Sequence, residues 1–97
     1  MPNIMICGFP TAQADTLKVK IDQVLSGLGL DGDAVTSITE MCAESCDGKR
    51  IPMPYLRICS TDEYEIRRII EALKNAKLGI DVEWLVLGGF IPAAEMG

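Results

Sequence analysis

Two hydrophobic rhythms alternate along the chain, and each appears twice. Asn3-Ile4-Met5-Ile6-Cys7 is a short apolar run of strand type. Phe9-Pro10-Thr11 turns the chain and offers Thr11 as a helix N-cap. Leu17, Ile21, Val24, Leu25 and Leu28 then follow at helical spacing, one buried stripe, while Lys18, Lys20, Asp22 and Gln23 lie mostly off it. Gly27 and Gly29 stop that helix. Beyond the turn Asp31-Gly32-Asp33, a β-branched strand is predicted from about Ala34 to Met41.

The second half runs the same course. Tyr55-Leu56-Arg57-Ile58-Cys59 reads as a strand, and Ser60-Thr61-Asp62-Glu63 has the spacing of a capping box. Ile66, Ile69, Ile70 and Leu73 make the helical stripe, Gly79 ends it, and Val82 to Leu87 is a further apolar strand closed by Gly88-Gly89. The likeness reaches individual letters. MPNIMIC at the start matches MPYLRIC from Met53 at Met1/Met53, Pro2/Pro54, Ile6/Ile58 and Cys7/Cys59, with Ile4 against Leu56. The pseudo-repeats cover about 1–41 and 53–87. Between them CAESCDGKRIPM is polar and turn-rich, long enough for a loop or a small hairpin, and the tail IPAAEMG offers a short extension.

Strand–helix–strand at this length implies two parallel strands joined by a right-handed crossover. Two such units in tandem predict one α/β (α+β) domain over 97 residues, βαβ-βαβ, with a four-stranded core sheet and both helices on one face. If Ile4, Ile6, Leu56 and Ile58 face the helices, Met5, Cys7 and Arg57 fall on the other face. The last strand is apolar on both sides, with Val82, Trp84 and Val86 opposite Leu85 and Leu87. An apolar sheet face without helices should be covered by another chain, so assembly is expected.

Composition narrows the classes of function. Hydrophobic residues are 48% and aromatics 5%, so the core is aliphatic and the chain folded. The net charge is −5, and adjacent cations occur only at Lys49-Arg50 and Arg67-Arg68, which argues against nucleic acid as a partner. No apolar run approaches a membrane span, and the start lacks the basic and apolar regions of a signal peptide. A soluble, cytoplasmic chain is the expectation. Cys7 and Cys59 sit in strand patterns as reduced, small apolar residues. Cys42 and Cys46 form CAESC, whose three-residue gap is not the usual zinc or redox spacing, though a metal, redox or regulatory-disulfide role stays open for them. His is absent, which removes the commonest metal ligand and general base. No metal or cofactor is expected.

Pro2 follows Met1, and methionine is generally trimmed before a small residue. Trimming leaves a secondary amine at the head of the first strand. An open chain terminus titrates near about 7.7–8.0, and burial or a nearby cation lowers that, which suits a general base at neutral pH. Proline is also simply tolerated as the first residue of a strand.

A leading Pro2 on a first strand, two βαβ units in tandem, and the run Ile38-Thr39-Glu40-Met41 resemble the tautomerase superfamily, which includes 4-oxalocrotonate tautomerase and macrophage migration inhibitory factor. The likeness in layout spans nearly all of the chain and is greatest to a small bacterial branch. It implies a homotrimer, an enol or 2-keto acid substrate, and a proton shift with Pro2 as general base. The chain departs from the family pattern at the anion clamp. Arginines of that pattern fall on Ala12 or Gln13 and on Val35, and a lysine position falls in Leu30-Asp31-Gly32-Asp33. The remaining candidates for binding a substrate anion are Lys49, Arg50 and Arg57. A non-catalytic oligomeric protein of the same fold is the alternative. A ferredoxin-like or amino-acid-sensing module is a third reading, since it shares the element order.

Overall fold

Burial follows the two stripes closely. The computed structural model describes residues 2–30, 32–39, 42–44, 46–48, 50–52, 54–89 and 91–96, with backbone only for 42–44 and 50–52. The elements are β1 (Asn3–Cys7), α1 (Thr11–Gly27), β2 (Val35–Thr39), β3 (Cys42–Glu44), β4 (Arg50–Pro52), β5 (Tyr55–Ser60), α2 (Glu63–Asn75), β6 (Val82–Val86) and α3 (Ala93–Met96). Leaving aside the hairpin and the last short helix, the order is β-α-β-β-α-β.

The sheet is mixed and runs β2-β1-β5-β6. Each βαβ unit supplies a parallel pair, β1 with β2 and β5 with β6, and the two units meet through antiparallel β1 and β5. The third reading expected for this element order lacks parallel pairing within each half, so the pairing speaks for the tandem βαβ architecture. The linker forms the hairpin β3–β4 as a separate two-stranded sheet.

Register lines the side chains up in rows across the strands. One helix-facing row is Ile38-Ile6-Leu56-Val82 and the next is Thr36-Ile4-Ile58-Trp84. The four central members, Ile4, Ile6, Leu56 and Ile58, have no exposed surface, while Ile38 is 41% and Trp84 45% exposed. Ala14, Leu17, Ile21 and Leu25 from α1, and Ile66, Ile69 and Leu73 from α2, close over the centre. Two helices side by side therefore cover the middle of the sheet and leave its edge strands partly bare. The molecule is a slab of one sheet and one helix layer, 44 × 42 × 19 Å. Its accessible surface is 6590 Å², against about 5,400 Å² for a folded monomer of this mass.

Three local details differ from the expectation. Thr11 is the first helical residue and not the cap: Pro10 takes the cap position, its φ of −56° already fixed by the ring, and its carbonyl accepts from Ala14 N–H at 2.8 Å. In the second unit Asp62, not Ser60, caps α2, its Oδ1 accepting from Tyr64 N–H at 2.9 Å and Glu65 N–H at 3.4 Å. The reciprocal bond of a capping box is missing because Ser60 Oγ already accepts the Asp62 N–H, and Glu65 Oε1 is left buried without a hydrogen bond. Finally, α2 stops at Asn75, four residues before Gly79, and Lys77 takes a left-handed conformation (φ 54°) that glycine more often fills. The hairpin alternative for the linker is the one formed. The tail forms the short helix α3. Glu40 and Met41, the end of the expected second strand, lie outside the described residues.

Candidate functional site

Pro2 leads β1 into the centre of the sheet. Its carbonyl accepts from Val35 N–H at 3.0 Å, which extends the parallel ladder one step beyond Asn3↔Val35. Its side chain is fully buried. The missing N–H of proline costs nothing here, because the bond the sheet needs at this position uses the carbonyl. Met1 lies outside the described residues, and so does Lys49. Arg50 opens β4, opposite Glu44, and only its backbone is described.

Arg57 is fully placed. It lies opposite Met5 on β1 and Glu83 on β6, on the sheet face away from the helices. Its Nε approaches Glu83 Oε1 at 3.3 Å, close enough to pair charges but not aligned as a hydrogen bond. Its Nη2 donates to Tyr55 Oη at 3.3 Å, and the guanidinium carbon stands 5.7 Å from the Tyr55 ring centroid. The Glu83 carboxylate, seconded by Tyr55, holds the Arg57 guanidinium above its ordinary pKa. Tyr55 is raised as well, first by loss of water and then by Cys7 beside it. Burial likewise pushes the Cys59 thiol up, with Arg57 pulling weakly the other way.

These groups form a small polar cluster on the open sheet face. It consists of Tyr55, Arg57 and Glu83, flanked by the buried free thiols of Cys7 and Cys59. Cys46 is free and exposed, and the Cys42 side chain is not described. The Cys59 thiol, raised by burial and bounded by strands, is a poor nucleophile and a poor metal ligand. Among the described residues no group of three His, Cys, Asp or Glu side chains could hold a metal ion, and no helix is long and apolar enough to cross a membrane.

Pro2 and Arg57 do not converge within one chain. Arg57 sits three residues along the ladder from Pro2, about 10 Å at 3.3 Å per residue, and its guanidinium is turned toward Tyr55, opposite Cys7 at the far end of β1. The cluster's other members, Tyr55 and Glu83, escaped a reading of the sequence. Their signal is cross-strand register, Arg57↔Glu83 and Cys7↔Tyr55, which exists only once the strands are paired.

No protein-family model matches the chain, and no curated protein matches it either.

Proposed function

We propose that the chain is a tautomerase-type isomerase that moves a proton on an enol or 2-keto acid, with the Pro2 nitrogen as general base once Met1 is removed. The base takes the enol O–H proton, the double bond shifts, and the proton returns to the neighbouring carbon, so no oxidant or cofactor is required. The observation that carries the reading is the burial of Pro2 at the head of a central strand. An amine buried away from water is disfavoured in its charged form, the direction a base working near neutral pH requires. The chain has no His to serve instead. Substrate carboxylate binding falls to Lys49 or Arg50, in a homotrimer in which a neighbouring copy brings these cations toward Pro2.

A second reading has its own support. Arg57 is committed to Glu83 and Tyr55, and Ala12, Gln13 and Val35 offer no cation. On that reading the protein is a non-catalytic oligomer of the same fold. Intact mass and turnover separate the two. Met-free protein should ketonise phenylpyruvate or 2-hydroxymuconate, and a form retaining Met1 should not. Pro2→Ala, with its primary amine, should be slower without being dead. Equal rates with and without Met1 would remove Pro2 from the chemistry. Absence of turnover across several enol acids would leave the non-catalytic reading.

A further inference from the structure

We propose that the tail of one copy, residues 91–96, docks into the groove between α2 and β6 of a second copy, with Glu95 set against Lys74 and Lys77. Among the described residues the tail has no partner in its own chain. All six residues are exposed, Ile91 at 67% and Met96 at 70%, and α3 packs against no other element. Ile91, Pro92, Ala93, Ala94 and Met96 make the tail mostly apolar and exposed, the kind of surface that marks an interaction site. It leaves β6 through Gly88-Gly89, with Gly89 at φ 112°, a junction that lets the chain turn away from the sheet.

The groove has the complementary character. It measures 610 Å³, and Leu56, Leu73 and Val82 contribute to its apolar lining. It exists because α2 covers the centre of the sheet and stops short of the edge strand. Trp84 lines it, and the Lys74 and Lys77 ammoniums are part of its wall. Among the described residues neither lysine is in an ion pair. Asp81 is a third charged neighbour, so two cations face one anion and a positive balance remains. A short apolar segment carrying one carboxylate fits this charge, and residues 91–96 are such a segment. The surface ledger agrees. The chain exposes about 1,200 Å² more than a compact monomer of its mass, and an ordinary interface takes about 800 Å² from each partner.

Trp84, the chain's one tryptophan, reports on the groove directly. The full-length protein is diluted through the micromolar range while sedimentation and Trp84 emission are followed together. The expected result is one concentration-dependent transition in both, with Trp84 emission moving to the red as copies separate. Glu95→Lys and Lys74→Glu should each weaken association about tenfold, the equivalent of about 1.4 kcal/mol. The combined reversal should restore it to within a few-fold, and Ile91→Asp should weaken it without rescue. All these positions are exposed, so unchanged far-UV circular dichroism checks that each variant is folded. An oligomer indifferent to the tail and to Lys74 overturns the proposal while leaving assembly itself standing. A concentration-independent response of Trp84 to Glu95→Lys means the tail docks on its own chain and also overturns it, as does a monomer at every concentration. None of these readouts involves turnover, so the chemistry proposed for Pro2 succeeds or fails separately.

Discussion

The row Ile38-Ile6-Leu56-Val82 makes a sharp test of where the stability resides. All four are apolar, helix-facing and at the same level of the sheet. Leu56 is fully buried and Ile38 is 41% exposed. Leu56→Ala removes three carbons, about 2.4 kcal/mol at about 0.8 per buried carbon. Leu56 has no exposed surface, so a cavity term adds to this, giving about 2.5–5 kcal/mol in all. Ile38→Ala removes as many carbons, but a little over half of the side chain is shielded and the gap opens to water. About 1 kcal/mol is expected. Total stability for a chain of this length is about 5–15 kcal/mol, so Leu56→Ala should lower Tm by at least about 10 °C and Ile38→Ala by roughly half that or less. Urea unfolding followed by far-UV circular dichroism, at a fixed low protein concentration, measures both. Equal costs at the two positions would refute the argument that two helices cover only the middle of the sheet. A cost for Ile38→Ala that grows with protein concentration would locate a second copy on the β2 edge.

Three further outcomes are expected. Asp62→Ala removes the acceptor for Tyr64 and Glu65 N–H and should cost about 1 kcal/mol, visible as a fall of about 4–8 °C in Tm, whereas Thr11→Ala, at a position that does not cap, should cost little. Stability should decline as pH rises past about 9: Cys59 and Tyr55 are both raised in the folded chain, so the unfolded chain loses those protons first and folding is progressively disfavoured until the folded groups titrate too. Denaturant midpoints across that range check it, and Cys59→Ala should flatten the slope; an unchanged slope would exclude Cys59 as a contributor. In native protein a thiol reagent should label Cys46 quickly and Cys7 and Cys59 only on unfolding; rapid labelling of Cys7 would contradict its burial.

Most of the architecture is legible in the chain because it rests on local period. The stripes of α1 and α2 name nearly every helical residue of the core, and the two strand motifs supply Ile4, Ile6, Leu56 and Ile58. Caps were harder. Pro10 against Thr11, and Asp62 against Ser60, differ by one or two residues and turn on which oxygen reaches a particular N–H, something spacing alone does not determine. Arg57 shows the limit most clearly. Its position in the motif is plain, but its chemistry depends on Glu83, which lies on another strand 26 positions away (83 minus 57) and becomes its neighbour only through parallel pairing. The α2–β6 groove is likewise invisible beforehand, since it arises where a helix fails to cover a strand.

The repeat also explains why only one of its two prolines is a candidate for chemistry. Equivalent residues of the halves differ by 52, and paired residues of β1 and β5 sum to 62, so Met5 and Arg57 are both equivalent and paired. The pseudo-two-fold axis of the sheet passes between them. Pro2 and Pro54 then fall at opposite ends of the sheet, related by that axis, but in different circumstances: Pro2 is buried and Pro54 exposed. Pro54 is also an interior amide in every form of the chain, so it never carries a free amine. At the axis the symmetry breaks in charge. Met5 faces Ser37 across its parallel pair, while Arg57 faces Glu83 in the equivalent place. Strict symmetry would place two like side chains in contact there, two arginines or two methionines. One Met and one Arg, with the Arg's charge answered from β6, avoids like-charge repulsion at the centre of the sheet. The repeat thus supplies the scaffold twice, and burial at Pro2 and charge at Arg57 set its two halves apart.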